Sequence, residues 1–297
     1  MDIQRFVHRR RQLGYSQVSL SRGICTQSTL SKFENKGKVP SLAILEQLCG
    51  RLGLTIDDLS QDAPLHSIRQ MLAKVERYLM MEQFPQAIHC LRKITSAKLQ
   101  IPQDQMQYYY LRGMIETLTN AQSSTALFNF TKILDELDER HQTIYSQLAY
   151  LGAGILYARQ SAIKHAGFFF NKVIAYLQKN AQTDWVHVNH QLYLRIIMMT
   201  YYTAEFHALN HRLTSSNQVL TRARAMCAAQ HVTYFMPRIE LLLAENAIEA
   251  GKGMEQVGPI LTAAMVFARF NCNNVVAVQT AAVKRQFESE IAKVKKN

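Results

Sequence analysis

Cysteine gives this chain no covalent framework. The five present (Cys25, Cys49, Cys90, Cys227 and Cys272) are scattered, odd in number and without a CxxC pair. That pattern excludes a disulfide scaffold and offers no zinc-ligand spacing, so buried free thiols in a reducing cytoplasm are the reading. Long apolar runs are missing too. A typical run, Ile196 to Met199 with Tyr201 and Tyr202 just beyond, falls far short of the roughly 18 residues a membrane span needs. The charged start of the chain has no apolar stretch behind it, which excludes a secretory signal. Enzyme signatures are absent as well. There is no GxxxxGK[ST], no GxGxxG after a strand, no HExxH and no GxSxG, so nothing points to a catalytic residue, cofactor or metal.

Acidic residues are outnumbered, 22 against 34 lysines and arginines, leaving a net charge of +12. Such an excess points to a polyanionic partner or surface. Its distribution is sharper than its size. Arg5, Arg9, Arg10, Arg11, Arg22, Lys32, Lys36 and Lys38 fall in the first forty residues against only Asp2 and Glu34. A smaller cluster (Lys284, Arg285, Lys293, Lys295, Lys296) reads as a solvated tail. With 48% hydrophobic and 19% charged residues, the composition is globular rather than disordered. A length of 297 residues accommodates a small domain followed by a larger one.

Residues 1–62 carry the pattern of five short helices. Ile3, Phe6, Val7 and Leu13 give a first helix one apolar face, and Gly14 ends it. Ser16 caps a short helix, roughly Gln17 to Arg22, with Val18 and Leu20 inward. Gly23 makes a tight turn above Ile24. A third helix, about Thr26 to Asn35, buries Leu30 and Phe33 and leaves Thr26, Gln27, Ser28, Thr29 and Lys32 outside. Ser41 caps a fourth helix bearing Leu42, Ile44, Leu45, Leu48 and Leu52, which Gly53 breaks, and TIDDL forms a last turn. Helix, short helix, glycine turn and polar helix is the order of a helix-turn-helix module, whose third helix enters the major groove.

The stretch LGYSQ…GICTQSTLSKFENKGKVPSLAILEQLCGRLGLTIDDL resembles the Xre/Cro-like helix-turn-helix family nearly end to end. Its Ile-Cys-x-Gln-Ser segment and the following Ser-Lys-Phe-Glu look closest to the PlcR-type branch of peptide-responsive regulators. The expected DNA-facing set is Arg10, Ser16, Gln17, Thr26, Gln27, Ser28, Thr29, Lys32, Asn35, Lys36 and Lys38. Gln27 can pair with an adenine edge or a phosphate, and Ser28 and Thr29 are short enough to let the helix approach the bases. Lys32 reaches guanine or phosphate. Gln17, at a helix start, donates to phosphate, while Asn35, Lys36, Lys38 and Arg10 hold the flanking backbone. The resemblance gives Glu34 a structural role, tied to an arginine or to backbone inside the module.

Beyond Pro64 proline and β-turn dipeptides nearly disappear, and apolar spacing of three and four continues to the end. The reading is all-α: residues 63–297 form helix pairs at about 68–81/85–94, 105–119/124–137, 144–159/163–177, 185–203/209–229 and 235–250/256–270, with a final helix at 274–294. The spacing is roughly 40 residues, longer than the usual tetratricopeptide unit. A degenerate, tetratricopeptide-like right-handed repeat is what resemblance to PlcR-type and Rgg-type regulators implies. Stacked pairs curve, so that the first helix of each lines a concave groove suited to an extended peptide.

The resemblance places Asn189 where an asparagine grips peptide backbone, its amide offering both donor and acceptor. His190, Tyr193 and Asn246 join it as peptide-binding candidates, with a solvated surface role as the alternative for Asn189. One repeat earlier stands Leu151, a departure from that grip. Tyr108, Tyr109 and Tyr110 read as core packing, since alternate rings face inward. His187/His190 and His207/His211 share helix faces but lack a completing ligand. Asp135, Glu136, Asp138 and Glu139 read as a solvated cap. The expectation is a cytoplasmic transcription regulator, a homodimer on a palindromic double-stranded operator, switched by a short signalling peptide. The alternatives are an interaction module with a DNA-localising head, or a regulator sensing a small molecule.

Overall fold

The computed structural model describes residues 1–56, 59, 63–96, 99–181, 183 and 189–294. These residues form fifteen α-helices, and no strand occurs among them. The chain divides into two compact units, Met1–Met71 and Leu72–Asn297.

In the first unit, α1 (Ile3–Gln12), α2 (Gln17–Ser21), α3 (Gln27–Lys36) and α4 (Leu42–Leu52) follow the expected order within a residue or two. Asp57 and Asp58 of the expected TIDDL turn lie outside the described residues. The apolar faces meet in one core of Phe6, Leu20, Leu30, Phe33, Leu45, Leu48, Leu52 and Leu59. Phe6 and Phe33 pack edge to face at 5.2 Å, the geometry ring quadrupoles prefer. Gly37 ends α3 in the left-handed region at φ 67°, where a side chain would be strained. Ser41 precedes α4 in extended backbone, but its hydroxyl makes no capping bond.

The unit boundary falls within α5 (Ala63–Met80), and the second unit continues from it through α6 (Phe84–Leu91), α7 (Pro102–Leu118) and α8 (Ser123–Thr131), α9 (Ile144–Arg159) and α10 (Ile163–Lys179), α11 (His190–Leu209) and α12 (Leu213–Ala229), α13 (Met236–Glu249) and α14 (Met254–Phe270), and α15 (Asn274–Val294). Each first helix ends alike. Glu82, Asn120, Ser161, His211 and Gly251 all adopt positive φ two residues past the helix end. The next N–H reaches back to the carbonyls of Tyr78, Glu116, Tyr157, His207 and Ala247 respectively. This closure satisfies carbonyls the helix leaves open and turns the chain sharply. It closes all five first helices, and His231 and Cys272 end α12 and α14 in the same way. Ala87, Ala126, Ala166 and Ser216, in the first turns of the second helices, are fully buried. Their small side chains let paired helices approach.

Two departures concern α8 and α11. Helix α8 runs on into a π-helical turn, Lys132–Leu137, and the Asp138 N–H donates to the Ile133 carbonyl at 2.8 Å. That wider turn delivers Asp138 to the start of α9. There its carboxylate accepts from the N–H groups of Gln142 and Thr143 and from the hydroxyls of Thr143 and Ser146. Asp138 is therefore a buried cap rather than a solvated one, 8% exposed. Helix α11 begins only at His190 and persists to Leu209; Trp185, His187 and the rest of 184–188 lie outside the described residues. Deep in this unit Arg195 donates to both oxygens of Glu76 at 2.7 and 2.8 Å, with Gln107 donating to the same carboxylate, so α5, α7 and α11 share one buried charge pair.

Candidate functional site

The third helix of the first unit presents the exposed polar face its sequence implies. Thr26 caps it, its hydroxyl accepting from the Thr29 N–H at 3.2 Å and lying 2.8 Å from the Thr29 hydroxyl. Gln27, Ser28, Lys32, Asn35, Lys36 and Lys38 are exposed, and Thr29 is half-buried. Ser16 caps α2 by accepting from the Ser19 N–H. An unbroken chain of hydrogen bonds lies behind this face. Arg10 donates to both oxygens of Glu34 at 2.7 and 2.8 Å. The Gln17 amide donates to the same carboxylate at 2.8 Å, and its carbonyl accepts from Gln27 at 2.9 Å. The relay fixes α2 against α3 and holds the Gln27 side chain at the head of the helix.

This geometry corrects one expectation. Arg10 is buried, 8% exposed, with its third donor on the Tyr15 carbonyl; it holds the module together and is not placed to touch phosphate. The Gln17 amide uses one of its two N–H groups on Glu34, and its carbonyl orients Gln27. The structural reading of Glu34 is met by this pairing. Arg51 was not foreseen at all. It donates to the carbonyls of Leu20 and Arg22 at 2.9 and 2.6 Å, closing the C-terminal end of α2, and its only sequence signal was a basic residue in the last turn of α4.

In the second unit, α9, α11, α13 and α15 line a cavity of about 800 Å³, with no residue contributed by α10, α12 or α14. Its apolar wall is Ala158, Ala208, Leu209, Leu241, Leu242, Ala282 and Val283, and its polar wall includes Arg159, Tyr201, Glu205, Arg238, Glu245 and Glu249. A continuation of about 400 Å³ extends to Glu82, Phe84 and Tyr202. Arg238 is fixed by both oxygens of Glu82 at 2.7 and 3.0 Å and by Gln279 at 2.6 Å. Burial pushes the Glu205 carboxyl above the usual carboxylate range, against the opposing hydrogen bond from Tyr201. Glu245 is raised by burial and then by the like charge of Glu205.

Of the four peptide-binding candidates, only Asn246 lines this cavity, and its amide donates to Ser216 and Asn217. Asn189 caps α11, its carbonyl accepting from the N–H groups of Gln191 and Leu192. His190 is exposed beside it. Tyr193 is 2% exposed, and its hydroxyl donates to the Met226 carbonyl at 2.7 Å; it is a core residue, since α11 turns that face toward α12. Tyr108 and Tyr110 are buried and Tyr109 half-buried, as core packing requires. Glu205 and Arg238 were missed, although Glu205 is the lone acid in the largely apolar α11, a legible signal. His211 lies 2.7 Å from Glu249. Among the described residues no three metal-ligating side chains converge, and no helix is long and apolar enough to cross a membrane.

Residues 8–59 match the helix-turn-helix family model. No curated protein matches the chain. Solved structures share its fold over nearly its whole length, three of them as follows. One is PlcR of Bacillus thuringiensis in complex with the peptide PapR7 and DNA, at 15% identity and TM-score 0.69, covering 96% of this chain and 98% of that one. Another is ComR of S. thermophilus with DNA and its signalling peptide ComS, at 15% identity and TM-score 0.63, covering 97% and 100%. The third is a putative transcriptional regulator from Listeria monocytogenes EGD-e, at 14% identity and TM-score 0.53, covering 97% of each chain.

Proposed function

We propose that this protein, whose residues 8–59 form a helix-turn-helix domain, is a cytoplasmic transcription regulator that binds a palindromic operator as a homodimer. A short peptide in the concave groove of the second unit switches it. The observation that carries the reading is the cavity lined by α9, α11, α13, α15 and the His211 turn, in the same chain as an exposed recognition helix held by a hydrogen-bonded relay. The fold shared with PlcR and ComR, each solved with DNA and a peptide, supports both partners.

In this reading Gln27, Ser28 and Thr29 face base edges, and Lys32 reaches guanine or phosphate. Ser16, Thr26, Asn35, Lys36 and Lys38 contact the sugar-phosphate backbone. One module touches few bases, so a second copy on a half-site about one helical turn away supplies the missing affinity. Peptide acts by binding one arrangement of the dimer better than another, because equal affinity for both would shift nothing.

Selection from a random duplex pool tests the DNA half. The expected product is an inverted repeat with half-sites about 10 base pairs apart, or a multiple of that. Gln27→Ala/Ser28→Ala/Lys32→Ala should lose the site while circular dichroism stays unchanged. A footprint retained by the triple variant would remove α3 as the reading helix, and a single asymmetric site would remove the dimer.

A further inference from the structure

We infer that the concave groove selects a cationic peptide, one presenting a lysine, an arginine or a free amino terminus, with Glu205 and Glu245 as its counter-charges. This rests on the reading of the groove as a peptide site and adds the chemistry of its occupant.

The protein as a whole carries +12, yet its groove is lined by four carboxylates, Glu82, Glu205, Glu245 and Glu249, against the guanidiniums of Arg159 and Arg238. Most of these charges are already spent. Arg238 holds Glu82, and Glu82 also accepts from Asn273 at 2.9 Å. Glu249 lies against His211. Arg159 is turned onto the carbonyls of Thr117 and Leu118 and the side chain of Asn120 at 2.9 to 3.2 Å. Two carboxylates are left over. Glu205 receives one hydrogen bond, from Tyr201 at 3.1 Å, and Glu245 makes no hydrogen bond or ion pair among the described residues.

Both of these carboxyls are pushed upward, by burial first, and Glu245 further by Glu205; the attraction of Arg238 on both, and of Arg159 on Glu205, does not cancel that rise. Two like charges sharing a concave surface destabilise each other until a cation enters between them. A ligand ammonium or guanidinium relieves that repulsion, whereas an acidic side chain adds to it and is rejected. Leu241, Leu242, Ala282 and Val283 line the same cavity, so apolar residues beside the basic one bury against them. The occupant is thus a basic residue flanked by apolar ones.

The test uses the full chain and an equimolar synthetic heptapeptide library, with retained peptides separated from free ones and sequenced. Lysine and arginine should be enriched over glutamate about fivefold at one or two positions, the ratio of a partly screened ion pair. E205Q/E245Q should retain peptides without that enrichment. E245Q alone, a near-isosteric change whose folding is checked by circular dichroism, should lose part of it. Retention by the wild type with no basic preference overturns the inference and leaves the peptide groove standing. Enrichment that survives in both variants removes these two carboxylates. If the wild type retains no peptide, the groove reading itself falls and this inference falls with it.

Discussion

Replacing Glu34 with alanine strips the first unit of the acceptor on which its relay converges. Arg10 then loses two hydrogen bonds, at 2.7 and 2.8 Å, and Gln17 loses one, while the guanidinium stays largely out of solvent. The side chains of Arg10 and Glu34 are 10% and 3% exposed. Removing one member of a buried pair costs about 3–5 kcal/mol, because the survivor is a charge without compensation. The thin solvent access at Arg10 and its remaining bond to the Tyr15 carbonyl put the expected cost at the lower end, ~3 kcal/mol. Hydrogen exchange on the full chain reads this locally. Amides of α1 and α3 that exchange through opening of this unit should speed up by about two orders of magnitude, the factor that ~3 kcal/mol implies. Arg10→Met/Glu34→Leu removes both charges and should return protection to within ~1 kcal/mol of the wild type, as apolar replacements of buried pairs do. Acceleration below tenfold in Glu34→Ala, or a double variant as damaged as the single, would refute the claim that the pair is largely shielded from water.

Gly152→Ala should destabilise the second unit by about 1–3 kcal/mol through overpacking, because a Cβ there would lie 2.1 Å from Phe130 Cζ. Gly50→Ala, with nothing within 4 Å, is the matched control, and equal denaturation midpoints for the two would contradict the packing. Lys36→Ala/Lys38→Ala should lower the slope of log affinity against log salt by about 0.9 per lysine if each neutralises a phosphate; an unchanged slope would take both off the backbone. Burial would push the Asp138 carboxyl up, but hydrogen bonds from Ser146, Thr143 and Gln142 outweigh it and hold the carboxyl below its ordinary range. A depressed carboxyl stabilises the fold above its unfolded value, near pH 4, and that stability is lost as pH falls through the folded value. Asp138→Asn should therefore be less stable than the wild type at pH 7, with the gap narrowing below about pH 4; a constant gap in acid titrations would refute the assignment.

Helix order could be read along the chain because its causes are local. Leu30 and Phe33 lie three apart and share a face, Thr26 caps the turn that follows it, and Gly37 sits where the backbone turns left-handed. Each of these follows from dihedral preference or side-chain period within a few residues. The exposed face of α3 was legible for the same reason. The pairing of helices in the second unit was legible too, and its turns proved even more regular than the sequence suggests, since glutamate, asparagine, serine, histidine and glycine all fill one backbone role. Side-chain identity hides that shared closure, and φ reveals it.

The assignments that changed depended on partners distant in sequence. Arg10 looked like one more arginine in a basic stretch, and its carboxylate lies twenty-four positions away. Tyr193 looked available to a groove until α12 packed over it. Asn189 sits beyond the inner helical face because α11 starts one residue later. Glu205, unremarked among apolar neighbours, lines the cavity because α9, α13 and α15 gather around its helix. Periodicity, caps and charge excess belong to the chain and fix which segments are helices and which face of α3 is polar. Whether a charged or polar side chain meets solvent, a carboxylate or a cavity depends on helices brought together by burial of their apolar faces, and no local pattern encodes that meeting.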